Sequence, residues 1–422
     1  MFRWYLKKAI RRGGLALIEA NGRRTVFGCF DGGALLTLRL RDAKTLRALS
    51  TNPELTFGEA YMDGALTVEN GTIRDVIALL FDNMSDGPPL PWRQVSRPFR
   101  ALLRRLQQYN PAPRAERNVA HHYDLSRRLY ELFLDADEQY SCAYFPDPSM
   151  SLEAAQDAKK RHIARKLLLE PGMRVLDIGS GWGGLALTLA ETAGVDVTGL
   201  TLSREQIAVA TERAAAKGLS DRVRFHLRDY RAETGTYDRI VSVGMFEHVG
   251  INHYDAFFET VKNLLAPKGV MLLHSIGRLD GPGRTNPWIR KYIFPGGYAP
   301  ALSEVLPVVE RSGLLTADIE ILRLHYAMTL KHWQDRFAAS RAEVARLYDE
   351  RFCRLWEFYL AAAEMDFRYL HQMVFQLQLA KAIDAVPLTR DYLYEPFAAH
   401  TEPGRTAPSL RGTKTANISV LS

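Results

Sequence analysis

The sequence predicts an α/β fold with a mainly parallel sheet, preceded by a smaller N-terminal α+β domain. From residue 174 onward, short apolar runs typical of buried strands alternate with helical stretches, and this alternation indicates βαβ units in one sheet. A glycine-rich turn follows the first of these strands, at the edge where open α/β sheets bind ligands. Before residue 90, strand-like runs and two helical stretches are mixed instead.

The elements are predicted in chain order from these runs. In the N-terminal part, strands are expected at Arg24–Phe30 and Ala34–Leu40. Strands of the parallel sheet are expected at Arg174–Ile178, Asp196–Leu200, Val223–Leu227, Arg239–Val243 and Val270–Ile276. Helices are expected between them at Gly184–Glu191, Ser203–Lys217 and Tyr254–Leu265. Near the end, the pattern predicts one long helix from about Arg341 to Phe367 and a half-exposed strand at Met373–Leu379.

Two clusters of helix-breaking residues divide the chain. Residues 86–91 contain three prolines and a glycine, and residues 110–113 contain two more prolines. They predict an N-terminal domain with a basic linker helix over residues 1–112 and a second, catalytic domain over residues 113–400. The remaining residues, 401–422, are rich in Thr, Pro, Gly and Ser and are expected to be disordered.

The charge of the chain is unevenly distributed. Its 422 residues carry a net charge of +7, which suits an anionic membrane, a nucleic acid or an acidic ligand equally. Basic residues form one cluster at Lys7, Lys8, Arg11 and Arg12 and a second at Arg93, Arg97, Arg100, Arg104 and Arg105. Both clusters fit either solvated helix faces or docking on anionic lipid, to which each basic residue contributes ~1 kcal/mol.

Location and redox state follow from the apolar runs and the cysteines. The apolar runs are well short of the ~20 residues that a membrane-spanning helix needs. The start of the chain is too charged for a secretory signal. We therefore expect a cytoplasmic protein that is peripheral on the inner face of the cytoplasmic membrane. Because Cys29, Cys142 and Cys353 are far apart, neither a disulfide framework nor a metal site is expected.

The turn after the first parallel strand is the most specific motif. Gly179, Gly181 and Gly184 fit the dinucleotide pattern Gly-x-Gly-x-x-Gly, but that pattern requires an acid at the end of the second strand, where Gly199–Ser203 has none. Asp177 instead fits the Asp-x-Gly-x-Gly-x-Gly loop of S-adenosylmethionine methyltransferases. The loop therefore predicts a Rossmann-like methyltransferase fold that binds S-adenosylmethionine through Asp177, Gly179, Gly181 and Gly183.

Two later segments are expected to complete the cofactor site. Thr201 and Gln206 follow the second strand and could bond the ribose in place of the missing acid. Gln206 also fits a capping box that begins at Ser203, which is a purely structural alternative. Asp229 and Tyr230 follow the third strand, where they could accept from the adenine amine and stack on its ring; the alternative is a solvated turn.

Four further segments each carry an unusual polar residue. Tyr140-Ser141-Cys142 precedes the sheet, Glu247 and His274 follow or end adjacent strands, and Tyr326 comes later. Glu247 and His274 are expected beside the cofactor loop because parallel strands end at one edge. Tyr140 and Ser141 are assigned to the cofactor site.

These segments together resemble the cyclopropane fatty acid synthase family, which includes the mycolic acid cyclopropane synthases. The resemblance covers residues 118–380, and Phe57–Gly64 looks like the N-terminal domain of the phospholipid-acting members. It implies an enzyme that delivers a methylene unit from S-adenosylmethionine to the double bond of a phospholipid acyl chain. It also implies a bound bicarbonate as base, with ligands Cys142, Glu247, His274, Tyr326 and the backbone of Ile276.

Two other functions remain open at this stage. One is methylation of an unsaturated acyl chain without ring closure, and the other is a non-catalytic lipid-binding protein. The expected partner is unsaturated phospholipid in an anionic bilayer, with no nucleic acid, and a homodimer is left open. Basic and aromatic residues interleave over Pro287–Pro295, which fits nucleic-acid binding or a membrane-facing lid; the methyltransferase loop favours the lid.

Overall fold

The N-terminal domain is built around a small sheet. The computed structural model describes residues 1–29, 35–85 and 126–394. Strands of this domain pair in the order β2-β1-β3-β4, with β1 and β3 parallel and the other pairs antiparallel. Its elements are α1 (Phe2–Ala9), β1 (Gly14–Ile18), β2 (Arg24–Gly28), β3 (Leu36–Leu40), α2 (Ala43–Thr51), α3 (Pro53–Met62), β4 (Leu66–Glu69) and α4 (Ile73–Ser85).

The second domain contains a sheet of seven strands. Its elements begin with α5 (Arg127–Phe133), α6 (Leu152–Leu167), β5 (Arg174–Ile178), α7 (Gly184–Ala193), β6 (Asp196–Thr201), α8 (Arg204–Ala216) and β7 (Val223–Leu227). They continue with β8 (Tyr237–Val243), α9 (Tyr254–Leu264), β9 (Leu265–Arg278), α10 (Pro287–Tyr292), α11 (Leu302–Ser312), β10 (Leu315–Leu322), α12 (His325–Leu347), α13 (Glu350–Tyr369) and β11 (Gln372–Ala380).

The strand order places a binding crevice at the end of β5. The order is β10-β11-β9-β8-β5-β6-β7, and the five strands from β9 to β7 are parallel. The chain runs outward from β5 to β6 and β7 and then returns to β8 on the other side of β5. Ligands bind where the strand order reverses in this way. The predicted α/β fold with a mainly parallel sheet is confirmed.

Two predictions for the C-terminal part are wrong in detail. The expected long helix is two helices, because the chain breaks at Tyr348 and Asp349, and the Asp349 carboxylate caps α13 by accepting from the amide of Phe352 at 2.6 Å. The last strand, β11, is not half exposed. It lies between β9 and β10, and its polar residues Gln376 and Gln378 are fully buried. The polar residues that alternate with apolar ones in β11 are therefore buried amides and do not face solvent.

The N-terminal domain packs on α10 and α13. The guanidinium of Arg74 in α4 binds both carboxylate oxygens of Glu364, a fully buried residue of α13, at 2.7 Å each. In α10, Trp288 is 1% exposed, and its indole nitrogen lies 3.3 Å from the sulfur of Met62. Lys291 pairs with Glu59 at 2.6 Å. The segment predicted to be a membrane-facing lid is therefore largely an interface between the two domains.

Several expectations fall on residues that the structure does not describe. The basic linker helix with Arg93–Arg105 and the tail at 401–422 lie outside the described ranges. Within those ranges, every helix is too short or too polar to cross a membrane.

Candidate active site

The glycine loop after β5 has the geometry that a ligand-binding turn needs. Gly179 has φ +87° and Gly181 has φ +55°, values that residues with a side chain rarely adopt. A Cβ on Gly179 would lie 2.9 Å from the Cβ of Met245, so only glycine fits there. The amides of Gly179 and Ser180 both donate to the carbonyl of Leu200 at 2.9 Å, which ties the loop to the end of β6.

A cavity opens at this loop, and nine of the ten residues that the sequence assigns to the cofactor line it. The nine are Tyr140, Ser141, Asp177, Gly179, Gly181, Thr201, Gln206, Asp229 and Tyr230. The tenth, Gly183, does not line the cavity. It begins α7 at φ +83°, and a Cβ there would lie 2.7 Å from the ring of Phe225 and 2.9 Å from the Cβ of Ala210. Gly183 thus serves close packing of the loop on its neighbours.

Asp177 is a buried carboxyl group in the cavity wall. Its side chain is 2% exposed, and its Oδ2 atom has no hydrogen-bond partner among the described residues. Burial raises the pKa of Asp177 to about 7, although the charge of Lys159 opposes this. A cationic ligand group at Oδ2 would satisfy this atom and favour the ionised carboxylate.

Thr201 and Gln206 form one buried pair. The Thr201 hydroxyl donates to the side-chain oxygen Oε1 of Gln206 at 2.8 Å. The backbone N–H of Gln206 donates to the Ser203 hydroxyl at 3.3 Å. The structural alternative, a helix cap at Ser203, is therefore present. The side chains of Thr201 and Gln206 also line the cavity, so the helix cap and the cavity wall share these two residues.

Asp229 and Tyr230 form a turn at the end of β7. Arg231 binds both carboxylate oxygens of Asp229, at 2.8 and 2.6 Å, and holds the pKa of that carboxyl below its usual range against the effect of burial. The ring of Tyr230 packs edge-on against Phe257, with ring centroids 5.3 Å apart. The turn is thus held by protein contacts and borders the cavity at the same time.

Helix α6 carries a cavity residue that sequence reasoning missed. Lys159 is 1% exposed, and its ammonium donates to the Gln139 side chain and to the Ser141 hydroxyl at 2.7 Å each. Gln156, one turn earlier, donates to the Ser141 carbonyl at 3.0 Å. Burial lowers the pKa of Lys159 to about 8. Helix α6 therefore holds in place the segment that carries Tyr140 and Ser141.

Glu247 and Ile276 are in direct contact. Glu247 lies in the turn after β8, and its Oε1 atom accepts from the amide of Ile276 at 2.6 Å. Its Oε2 atom is buried and has no hydrogen-bond partner among the described residues. Burial raises the pKa of Glu247 to about 7. An unpartnered carboxylate oxygen in a dry site would bind a ligand hydroxyl strongly.

His274 lies two residues before Ile276 on β9, opposite Val243 of β8, which lines the cavity. Its side chain is 2% exposed, and burial lowers its pKa to about 3. The imidazole is therefore neutral at physiological pH.

Cys142 and Tyr326 lie on two segments that are hydrogen-bonded to each other at the first turn of α12, and neither residue lines the cavity. The amides of Ala143 and Phe145 donate to Thr329 and His325, at 3.0 and 2.9 Å, on either side of Tyr326. Cys142 is buried, which raises the pKa of its thiol.

An aromatic cluster supports this part of the site. The Tyr326 ring packs edge-on against Trp333, at a centroid distance of 5.8 Å, and Trp333 stacks on Tyr140 at 5.2 Å. The Tyr140 hydroxyl lies 3.0 Å from that of Tyr359. Tyr326 thus shares its packing with a residue of the cofactor cavity.

Comparison with known proteins decides the family. The model of the mycolic acid cyclopropane synthetase family matches residues 111–377. The cyclopropane-fatty-acyl-phospholipid synthase of Escherichia coli is 38% identical over 356 residues, which are 84% of this chain and 90% of the relative. The chain belongs to the mycolic acid cyclopropane synthetase family.

The chain is also similar to two further proteins. The tuberculostearic acid methyltransferase UfaA1 of Mycobacterium tuberculosis is 35% identical over 87% of this chain and 88% of its own. The structure of the mycolic acid cyclopropane synthase CmaA1 with SAH and CTAB has a TM-score of 0.61 and 35% identity, covering 65% of this chain and all of that one. A domain of unknown function matches residues 17–86. The family assignment confirms the S-adenosylmethionine-dependent methyltransferase fold.

The glycine loop gives a direct test of the cofactor cavity. We expect Gly181→Val to weaken binding of S-adenosylhomocysteine by more than about 100-fold, on the order of 3 kcal/mol, measured by titration calorimetry. A Cβ at Gly181 meets no protein atom within 4 Å, so the side chain would act on the cavity and not on packing.

Gly218→Val is the matched control. Gly218 has φ +67° and also has no atom within 4 Å of a Cβ, but it lies after α8 and away from the cavity. It should cost similar backbone strain, ~1–2 kcal/mol, and leave the affinity unchanged. Normal affinity in Gly181→Val would contradict the placement of the cofactor.

Proposed function

We propose that this protein transfers a methylene unit from S-adenosylmethionine to the cis double bond of an unsaturated phospholipid acyl chain and so forms a cyclopropane ring. The observation that carries the proposal is the 38% identity to the E. coli cyclopropane-fatty-acyl-phospholipid synthase. That similarity covers 84% of this chain, whereas the similarity to the mycolic acid enzyme structure covers 65%. The lined cavity at the carboxyl edge of the sheet supports it.

The residues around the cavity suit this chemistry. S-adenosylmethionine would supply an electrophilic methyl group: the electrons of the double bond would form the new carbon–carbon bond while the methyl–sulfur bond breaks and S-adenosylhomocysteine leaves. The ionised form of Asp177 would hold a positive group of the cofactor, and Lys159 would hold Ser141 in position. Tyr140 lines the cavity and is backed by Trp333 and Tyr130, and this aromatic packing would keep water from the reacting carbons.

Closure of the ring also requires loss of a proton from the added methyl group, and a bound bicarbonate would supply the base. The proposed ligands carry hydrogen-bonding groups that suit such an anion. Glu247 Oε2, buried and unpartnered, would accept a hydrogen from it. His274, neutral and buried, and the Tyr326 hydroxyl would donate to its oxygens. In a site of low dielectric these bonds are stronger than they would be in water.

Methylation without ring closure is the alternative. It is favoured by one observation, the 35% identity to a tuberculostearic acid methyltransferase over 87% of this chain. The two outcomes differ in the bond that the electrons of the lost C–H bond form, which is a ring bond to the neighbouring carbon in one case and a carbon–carbon double bond in the other.

Lipid analysis decides between them. In cells that express the protein, we expect phospholipids to gain one CH₂ with loss of the alkene protons and appearance of ring-methylene signals in NMR spectra. Cells that express Gly181→Val provide the control. A methyl-branched or methylene product would establish the alternative, and unchanged lipids would refute both.

The base is tested by variants of its proposed ligands. Glu247→Gln and Tyr326→Phe should each lower kcat by about 10²–10⁴-fold, about 3–5 kcal/mol in the barrier, because each weakens the hold on the anion. Removing dissolved CO₂ and bicarbonate should lower wild-type activity, and adding bicarbonate should restore it. Cofactor affinity should be nearly normal in Tyr326→Phe.

Two results would contradict this role. One is full activity of Glu247→Gln in bicarbonate-free buffer. The other is an equal loss of cofactor binding in Tyr326→Phe, which would make Tyr326 a structural residue.

We further propose that α1 docks the enzyme on the inner face of the cytoplasmic membrane. Phe2 and Leu6 of this helix are buried in the N-terminal domain, whereas Trp4 is 52% exposed. Lys7 and Lys8, on the last turn, are also exposed. An exposed tryptophan beside lysines is typical of a helix that lies in the interface of an anionic bilayer.

Vesicle sedimentation tests this surface. The double variant Lys7→Gln/Lys8→Gln should bind phosphatidylglycerol vesicles about 10- to 30-fold more weakly at low salt, since each lysine contributes ~1 kcal/mol, and the difference should shrink at high salt. Arg222→Gln/Arg224→Gln changes two exposed charges, one just before β7 and one on it, and is the control that should bind normally. Equal binding by all three proteins would refute docking through α1.

A further inference from the structure

A buried amide lies against the imidazole of His274. On β11, Gln376 is the register partner of His274 on β9, and its Nε2 atom lies 3.1 Å from His274 Nδ1. Gln376 is fully buried, and its Oε1 atom has no hydrogen-bond partner among the described residues. The strand pairing fixes both side chains on one face of the sheet, so this contact follows from the fold.

The contact decides which ring nitrogen carries the proton. In this orientation of the Gln376 side chain, in which Nε2 faces the ring, the amide donates and His274 Nδ1 accepts. A neutral imidazole that accepts at Nδ1 carries its proton on Nε2. The ring is kept neutral by burial and by the positive charges of Lys159 and Lys166, which lower the pKa of His274 to about 3.

We propose that Gln376 is a positioning residue that fixes His274 as the Nε2–H tautomer, so that the imidazole presents a hydrogen-bond donor to the reaction centre. The inference rests on the proposed function in one respect, because His274 is assigned there to the anion that acts as base. The opposite tautomer would present an unprotonated nitrogen, and its lone pair would repel an anion.

In the site proposed above, Glu247 and His274 would have opposite hydrogen-bonding character. Glu247, held through Oε1 by the Ile276 amide, offers an acceptor at Oε2. His274, held through Nδ1 by Gln376, offers a donor at Nε2. A ligand with one hydroxyl and several oxygens is recognised by such a pair in one orientation. Gln376 therefore contributes to that orientation although it need not touch the ligand.

The tautomer can be measured directly. In protein labelled with ¹⁵N-histidine, we expect the His274 signals, identified by their absence in His274→Gln, to show a protonated Nε2 and an unprotonated Nδ1. Gln376→Glu should move the proton to Nδ1, because a carboxylate can only accept. Gln376→Leu, which keeps the site uncharged, should give a mixture of tautomers. Gln378→Glu, a change of the other buried amide of β11, should leave His274 unchanged.

Kinetics give the second measurement. Gln376→Glu should lower kcat by about 100-fold, as the loss of a donor to a developing charge does, while the Kd of S-adenosylhomocysteine stays within about twofold. Gln376→Leu should lose less, about tenfold. Gln378→Glu should keep its kcat if the fold is intact by circular dichroism.

The outcomes separate this inference from the proposed function. A wild-type Nδ1–H tautomer, a tautomer that neither Gln376 variant changes, or an unchanged kcat in Gln376→Glu would each overturn the inference. If wild-type enzyme forms no ring or branched lipid, the proposed reaction fails, whereas the effect of Gln376 on the tautomer is still decided by the spectra.

Discussion

The amides of Gly179 and Ser180 both donate to the carbonyl of Leu200, and these two hydrogen bonds hold the glycine loop against the end of β6. They require the left-handed turn at Gly179, where a side chain would collide with Met245. Because the chain turns at Gly179, the Asp177 side chain at the end of β5 faces the cavity, and α7 begins after the loop. The loop is bonded to Leu200 of β6, so Thr201 and Gln206, which come next in the chain, also lie at the cavity. One backbone turn thus brings the first two strands to a common site.

The site keeps several ionisable groups out of water, and each is stabilised in a different way. Lys159 is hydrogen-bonded to two neutral oxygens and lies near the Asp177 carboxyl, so its charge is partly compensated. Glu247 has one satisfied and one unsatisfied oxygen, an arrangement that costs about 1–3 kcal/mol in the folded state. A hydrogen bond from a ligand to that oxygen would remove the cost. The unsatisfied oxygens of Asp177 and Glu247 are therefore available to a bound ligand.

Much of the parallel sheet could be predicted because its strands are continuous apolar runs with glycine turns at their ends. The interior contacts could not. Lys159 lies on a helix of mixed charge, and its sequence pattern is that of a solvated residue; only the tertiary packing of α6 on residues 137–141 buries it. Gln376 is similar, because alternating glutamines predict an exposed face until helix α6, whose Lys166 carbonyl accepts from Gln378, is known to lie on that face. Pairing between distant strands is not contained in the local pattern. Gly183 is a further example, since a loop glycine that packs on its neighbours and one that meets a ligand have the same sequence signature.

Helix α13 contacts both the N-terminal domain and a residue of the cavity wall. On one side, Glu364 is fully buried and held by Arg74 of the N-terminal domain, by Arg368 and by Gln334. Five residues earlier, the Tyr359 hydroxyl meets that of Tyr140 in the cofactor cavity. Breaking the Arg74 pair would leave a buried carboxylate less well compensated, which opposes separation of the domains. Glu364, which holds the N-terminal domain, and Tyr359, which contacts the cavity wall, both lie on α13. A helix is rigid over so few turns, so these two contacts keep a fixed distance from each other. The domain that carries the proposed membrane surface is therefore fixed mechanically to the site where the acyl chain would react.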